Sequence, residues 1–216
     1  MMHFNSNPLF TLLPTASLVS ARSIPAIVPR DTPASLPRIT SISYSGTGCP
    51  SSSPGVVRTG TVFSDSTFRL NGFEASLPGI ETSTSNCQVH IQSAGCTSGW
   101  QVGVKGATVK GHLVLDPGAS LDWYLTSFWS SAAAASTTIT SSVPNNAATR
   151  LDTEINVHAT AADVAWSPCT GADGVLDTLN VNFRVALDAP GNQYGYFGKD
   201  ANIAAAESWE YVWRRC

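Results

Sequence analysis

Residues 151–158 alternate apolar and polar side chains, and the polar phase reads Asp152, Glu154, Asn156 and His158. On an extended strand, residues two apart share a face and lie about 6.5 to 7 Å from each other. Two carboxylates at that separation suit an inverting glycosidase, in which a water must fit between acid and base. With His158 they also offer oxygen and nitrogen ligands to a divalent cation. Asp152, Glu154 and His158 are therefore the candidate catalytic residues. The plainer account is a solvated sheet face, because any Asp-x-Glu on a strand meets this spacing. His90 and His112 fall on the polar phase of their own strands, so a three-histidine site competes with scattered surface imidazoles.

Other catalytic signals are absent. There is no Gly-x-Ser-x-Gly nucleophile motif, and no glycine-rich loop that opens a helix to cradle phosphate. No Cys-x-x-Cys pair occurs, and the histidines complete no zinc pattern. No metal and no cofactor are expected, and the balance leans away from an enzyme. No Asn-x-Ser/Thr sequon is present, while the hydroxyl clusters at 51–53 and 137–142 offer places for O-glycans.

Aromatic side chains supply a second kind of chemistry, because their faces stack on sugar rings. Six tryptophans occur: Trp100, Trp123, Trp129, Trp166, Trp209 and Trp213. Rings of this size ordinarily fill a core. Trp129, at a strand end beside a Ser/Ala loop, is the expected exception. Tyr194 and Tyr196, in the glycine-rich segment 191–198, join it as candidate glycan contacts, with packing against a sheet edge as the alternative.

Five cysteines are present: Cys49, Cys87, Cys96, Cys169 and Cys216. An oxidising compartment would pair four of them. Cys96, in a Gly/Ser-rich turn, is the expected spare. Chain ends fray unless tied down, so Cys216 points to a stapled last strand. Cys169 is its preferred partner, which leaves Cys49 with Cys87, although four cysteines admit three pairings.

The elements that must position these residues are short strands. From Arg38 onward the period is two rather than 3.6. Strands are expected at 40–44, 56–63, 68–73, 87–91, 100–104, 109–115, 121–129, 137–142, 151–158, 179–187 and 209–213. Turn signals separate them, such as Asp116-Pro117-Gly118 and Ala189-Pro190-Gly191. Helix-like runs are confined to 132–135 and 201–206, too short to organise a core. Ten or eleven short strands call for an all-β, disulfide-stapled sandwich of two sheets, with a closed barrel as the alternative.

Composition agrees. Of 216 residues, 12% are charged and 43% hydrophobic. Against these stand 27 Ser and 21 Thr, so surface polarity comes from hydroxyls, as is common outside the cell. The net charge of −3 and the lack of a basic run leave no electrostatic footprint for nucleic acid or anionic membrane. Residues 8–19 form an apolar stretch too short to span a membrane, followed by Val19-Ser20-Ala21, a small-residue cleavage pattern. Residues 1–21 are expected to be a signal peptide, although its start carries no Lys or Arg. A copper polysaccharide oxygenase needs histidine as its first mature residue, and cleavage after Ala21 exposes Arg22. Residues 22–37 hold four prolines and read as a linker or pro-segment, ahead of a single domain at 38–216.

One frame spans the domain: Thr47-Gly48-Cys49-Pro50, Asn86-Cys87, Gly99-Trp100-Gln101, Trp166-Ser167-Pro168-Cys169 and Trp213-Arg214-Arg215-Cys216. It resembles the domain of unknown function 4360 family of small secreted proteins, abundant in filamentous fungi. The resemblance implies a signal peptide, secretion and a β-rich fold, and it supplies no catalytic residue. The chain departs from the frame by adding Cys96. It also has Arg69 alone where a basic run should precede the second cysteine. The expected function is an extracellular structural or interaction module at a cell wall or host surface, with wall polysaccharide or a host surface protein as partner. The alternatives are a carbohydrate-active hydrolase using a carboxylate pair, and a lectin-like glycan-binding module.

Overall fold

The computed structural model describes residues 32–52, 55–60 and 62–216. The expected signal peptide and the first part of the linker lie outside the described residues. The linker's last residues join the domain: Pro33 and Pro37 are buried, and Ser35 bonds to Gly95 and Thr97.

Twelve strands form two antiparallel sheets. The five-stranded sheet runs β1 (Arg38–Ser45), β5 (Thr84–Ala94), β10 (Leu176–Asp188), β7 (Ser120–Trp129) and β8 (Ser136–Pro144). The seven-stranded sheet is built around β6 (Trp100–Leu115). One edge of β6 pairs with β12 (Ala205–Arg215) and then with β11 (Gly195–Gly198). Its other edge pairs with β9 (Leu151–Thr160). Beyond β12 lie β3 (Thr67–Leu70) and β2 (Val56–Thr59), and beyond β11 lies β4 (Ala75–Leu77). Two single-turn 3-10 helices, at Phe63–Asp65 and Ser130–Ala132, are the helical elements among the described residues.

Alternation decides which side of each strand is dry. Val89 and Ile91, Val181 and Phe183, and Trp123 and Leu125 face inward from the first sheet, all at 0% exposure. Phe68, Leu70, Val109 and Leu113 meet them from the second. Rings pack across and within the layers: Phe73 lies 5.0 Å from Phe183 across the sandwich, and Phe68 stacks on Trp209 of the neighbouring strand at 4.4 Å. The sandwich is thus as expected, and several elements differ. Segments 100–104 and 109–115 are one continuous strand. A bulge opposite Glu210 and Tyr211 absorbs Lys105, so the inward phase changes from Val102 and Val104 to Ala107 and Val109. The run 201–206 is not helical, because its last two residues begin β12. Segment 56–63 ends as a strand at Thr59. The short strands β4 and β11 carry no alternation long enough to read.

Disulfides join Cys49 to Cys87 and Cys169 to Cys216, the preferred pairing. Cys96 is unpaired and 5% exposed, and burial pushes its thiol pKa up.

Candidate functional site

The register brings the expected polar row onto the outer face of the seven-stranded sheet. Asp152 and Tyr196 flank Val114, Glu154 and Gly198 flank His112, and His158 and Ser208 flank Thr108. The ring of His112 reaches two carboxylates. Nε2 lies 3.3 Å from Asp152 Oδ1 and Nδ1 lies 3.4 Å from Asp200 Oδ2. Asp200 also accepts backbone N–H bonds from Asn202 and Ile203, which hold its pKa below the usual carboxylate range. His158 sits 3.7 Å from Glu210 and 3.2 Å from the Thr108 hydroxyl. Glu154 is exposed on the same row. At the strand's start Arg150 bonds Asp116 at 2.7 Å and covers the Tyr194 ring at 5.1 Å. Arg150 and the Tyr194 amide together lower the Asp116 pKa.

Asp152, Glu154, His158 and Tyr196 therefore share one face, but the face is open. The Asp152 side chain is 64% exposed and that of His158 is 51%. Glycoside cleavage by a carboxylate pair needs a sheltered pocket that keeps one acid protonated while its partner activates a water, and β9, an edge strand exposed along most of its length, supplies no such pocket. Among the described residues no three His, Cys, Asp or Glu side chains are placed to hold a metal ion. Trp129 corrects an expectation: it is 1% exposed, with its indole N–H donating to the Ala165 carbonyl. The rule that large rings fill cores holds at this strand end too. Tyr194 remains 36% exposed, and Tyr196 donates its hydroxyl to the Lys199 carbonyl.

The outer face of the five-stranded sheet is different in kind. One cross-strand row reads Ser43, His90, Asn180, Phe128 and Ser136. The next reads Ser45, Gln88, Asn182, Thr126 and Thr138, and the third Asn86, Arg184, Tyr124 and Thr140. Arg184 is the one Asp, Glu, Lys or Arg in these three rows, and the next row of the same face adds Asp122. Several members are fixed by their neighbours. His90 Nδ1 donates to Asn180 Oδ1 at 2.6 Å, Asn180 Nδ2 donates to Ser130 Oγ at 2.9 Å, and the Thr126 and Thr138 hydroxyls meet at 3.1 Å. Others are not. Asn182 Oδ1 is buried without a hydrogen-bond partner, and Tyr124 is 37% exposed. Tyr124, Thr126, Thr138, Asn182 and Arg184 line a depression of about 230 Å³. A second depression, of about 500 Å³, opens farther along the same sheet, lined by Thr40, Gln92, Val175, Asp177 and Thr178 among others.

This grid was concealed in the sequence. Strand β7 reads SLDWYLTSFW, bulky in both phases, so alternation does not tell which rings are outside. The legible signals were the polar phases Gln88, His90, Gln92 of β5 and Asn180, Asn182, Arg184 of β10.

A family model described as a domain of unknown function, DUF4360, matches residues 36–216. No curated protein matches the chain. Among solved structures, one titled for promiscuous carbohydrate-binding modules of the β-sandwich superfamily is similar over 79% of this chain, at 8% identity and a TM-score of 0.28. This chain spans 56% of that structure's length. TmCBM61 in complex with β-1,4-galactotriose is similar over 82% of this chain and 90% of its own, at 9% identity and a TM-score of 0.22.

Proposed function

This chain belongs to the domain-of-unknown-function family DUF4360, and we propose that it is a non-catalytic interaction module that binds polysaccharide outside the cell through the outer face of its five-stranded sheet. The observation that carries this reading is the grid of hydroxyl, amide and imidazole groups around Tyr124 and Phe128, with Arg184 as its one formal charge. Sugars present hydroxyls that donate and accept, and Ser, Thr, Asn and Gln side chains answer both roles. An aromatic ring among them supplies apolar contact for a sugar face. Polar side chains outnumber the two rings on this face, whereas the buried core of a protein interface is richer in apolar and aromatic groups. Two disulfides support a place outside the cytosol. On the other sheet, the open row of Asp152, Glu154 and His158 favours binding over hydrolysis.

The test is sedimentation of the oxidised domain with insoluble wall polysaccharides. At least one should pull the domain from solution, and Tyr124→Ala should release it while melting at the wild-type temperature. Failure of every polysaccharide to retain the protein would overturn the reading.

A further inference from the structure

The binding face has a direction. Outward side chains of β10 recur at Thr178, Asn180, Asn182 and Arg184. Asn182 and Arg184 line the smaller depression, Asp177 and Thr178 line the larger one, and Asn180 lies between them. Asn180 is drawn to 4% exposure by its bonds to His90 and Ser130, so it offers no projecting head to divide the two. From Asp177 to Arg184 the strand rises about 23 Å, the length of several sugar residues end to end. Each depression has polar groups from flanking strands: Thr138 and Thr126 at one end, Gln92 and Thr40 at the other.

The charge on this path is sparse. Arg184 makes no ion pair among the described residues, and Asp177 is engaged with the backbone N–H and hydroxyl of Ser131. A polyanionic chain would meet one cation at one end and a carboxylate at the other. Burying its charges without partners costs more than any hydrogen bond returns. The opposite sheet face, with Lys110, Arg69, Asp152, Glu154 and Glu210, is where a charged partner would find counter-charges.

Resting on the polysaccharide-binding reading, we infer that the ligand is a neutral, linear glycan that lies lengthwise along β10, with one end over Tyr124 and Arg184 and the other in the depression of Gln92 and Thr178. Tyr124 takes the apolar face of one sugar, and the exposed Arg184 guanidinium donates to a sugar hydroxyl. Thr178 and Gln92 contact sugars several residues along. A glycan of two residues reaches one depression, and a glycan of six reaches both.

Calorimetric titration with neutral β-1,3- and β-1,4-linked gluco-oligosaccharides of two to six residues tests this, with oligogalacturonate of matched length as the charged control. For the preferred neutral series, affinity should rise by about tenfold or more from the shortest to the longest, and should change little between low and high salt. The double substitution Gln92→Ala, Thr178→Ala should weaken the hexamer about tenfold and leave the dimer unchanged, whereas Tyr124→Ala should weaken both. Equal affinity across lengths would overturn the lengthwise placement. Preferential, salt-sensitive binding of oligogalacturonate would overturn the neutral-ligand assignment while leaving polysaccharide binding intact. Absence of binding to any wall polysaccharide would remove the reading on which the inference rests.

Discussion

Glu207 points into the core from β12 and is 0% exposed. One oxygen accepts the Trp209 indole N–H at 3.0 Å, and the other has no partner. Burial raises its pKa from 4.5 to about 8, against a smaller lowering by the Trp209 bond. The folded protein therefore holds this carboxyl protonated at neutral pH, while the unfolded chain releases the proton above about pH 4.5. Stability from this group is full below pH 4.5 and is lost as pH rises towards 8, about 3 to 5 kcal/mol in all. Asp116 and Asp200 act in the opposite sense, because their pKa values are lowered and their contribution fades only in more acid solution. Thermal melts should thus show a falling midpoint from pH 5 to pH 8, and Glu207→Gln should flatten that slope and raise the midpoint at pH 8. A variant that keeps the wild-type slope would show that the carboxyl is not the titrating group. Glu207 was partly legible: it shares a phase with Trp209, Tyr211 and Trp213, but the alanines before it read as helical and hid the start of the strand.

At the scale of elements, β6 is the strand on which the second sheet depends. It pairs with β12 and β11 along one edge, and along the other with β9 and then the segment that follows. That segment continues the ladder through Ala161 to Lys105, Ser167 to Val102 and Thr170 to Trp100. It passes so close to Gly103 that an added Cβ would lie 2.1 Å from Val164 Cγ1 and 3.0 Å from the Ala165 carbonyl oxygen. Gly103→Ala should therefore cost about 1 to 3 kcal/mol through overpacking, read as a lower denaturation midpoint. A neutral outcome would mean that the 161–167 segment yields freely. Sequence periodicity found every long strand but broke β6 in two, because a bulge reverses which phase faces inward. The strands β4 and β11, of three and four residues, owe their conformation to β6 beside them rather than to their own pattern.

Across the whole molecule, the two sheets bury one face each and leave different outer faces: one carries a cluster of carboxylates and histidines with Lys110, and the other is mainly hydroxyl and amide, with Arg184 in the grid and Asp122 and Asp188 in the rows beyond it. One disulfide, Cys49–Cys87, lies in the core and the other ties down the end of β12, closing separations of 38 and 47 residues. By chain-entropy arguments each contributes about 3 to 4 kcal/mol. Replacing Cys169 and Cys216 with alanine should lower the melting temperature by roughly 5 to 15 °C and speed amide exchange at the end of β12. An unchanged melting curve would mean that the last strand is held without the bridge.

What the sequence determined by itself was the class of architecture, while among three cysteine pairings it only preferred the one that the structure holds. Alternating side chains select paired strands over helix. It also placed Asp152, Glu154 and His158 together on one face, since two-residue spacing fixes a shared side wherever the strand goes. Tertiary structure alone decided which faces became surfaces. Whether Trp129 is inside and Tyr124 outside, and whether His112 meets Asp200, depends on strands distant in sequence coming into register. Cross-strand neighbours are set by pairing and bulges, and no local pattern encodes them.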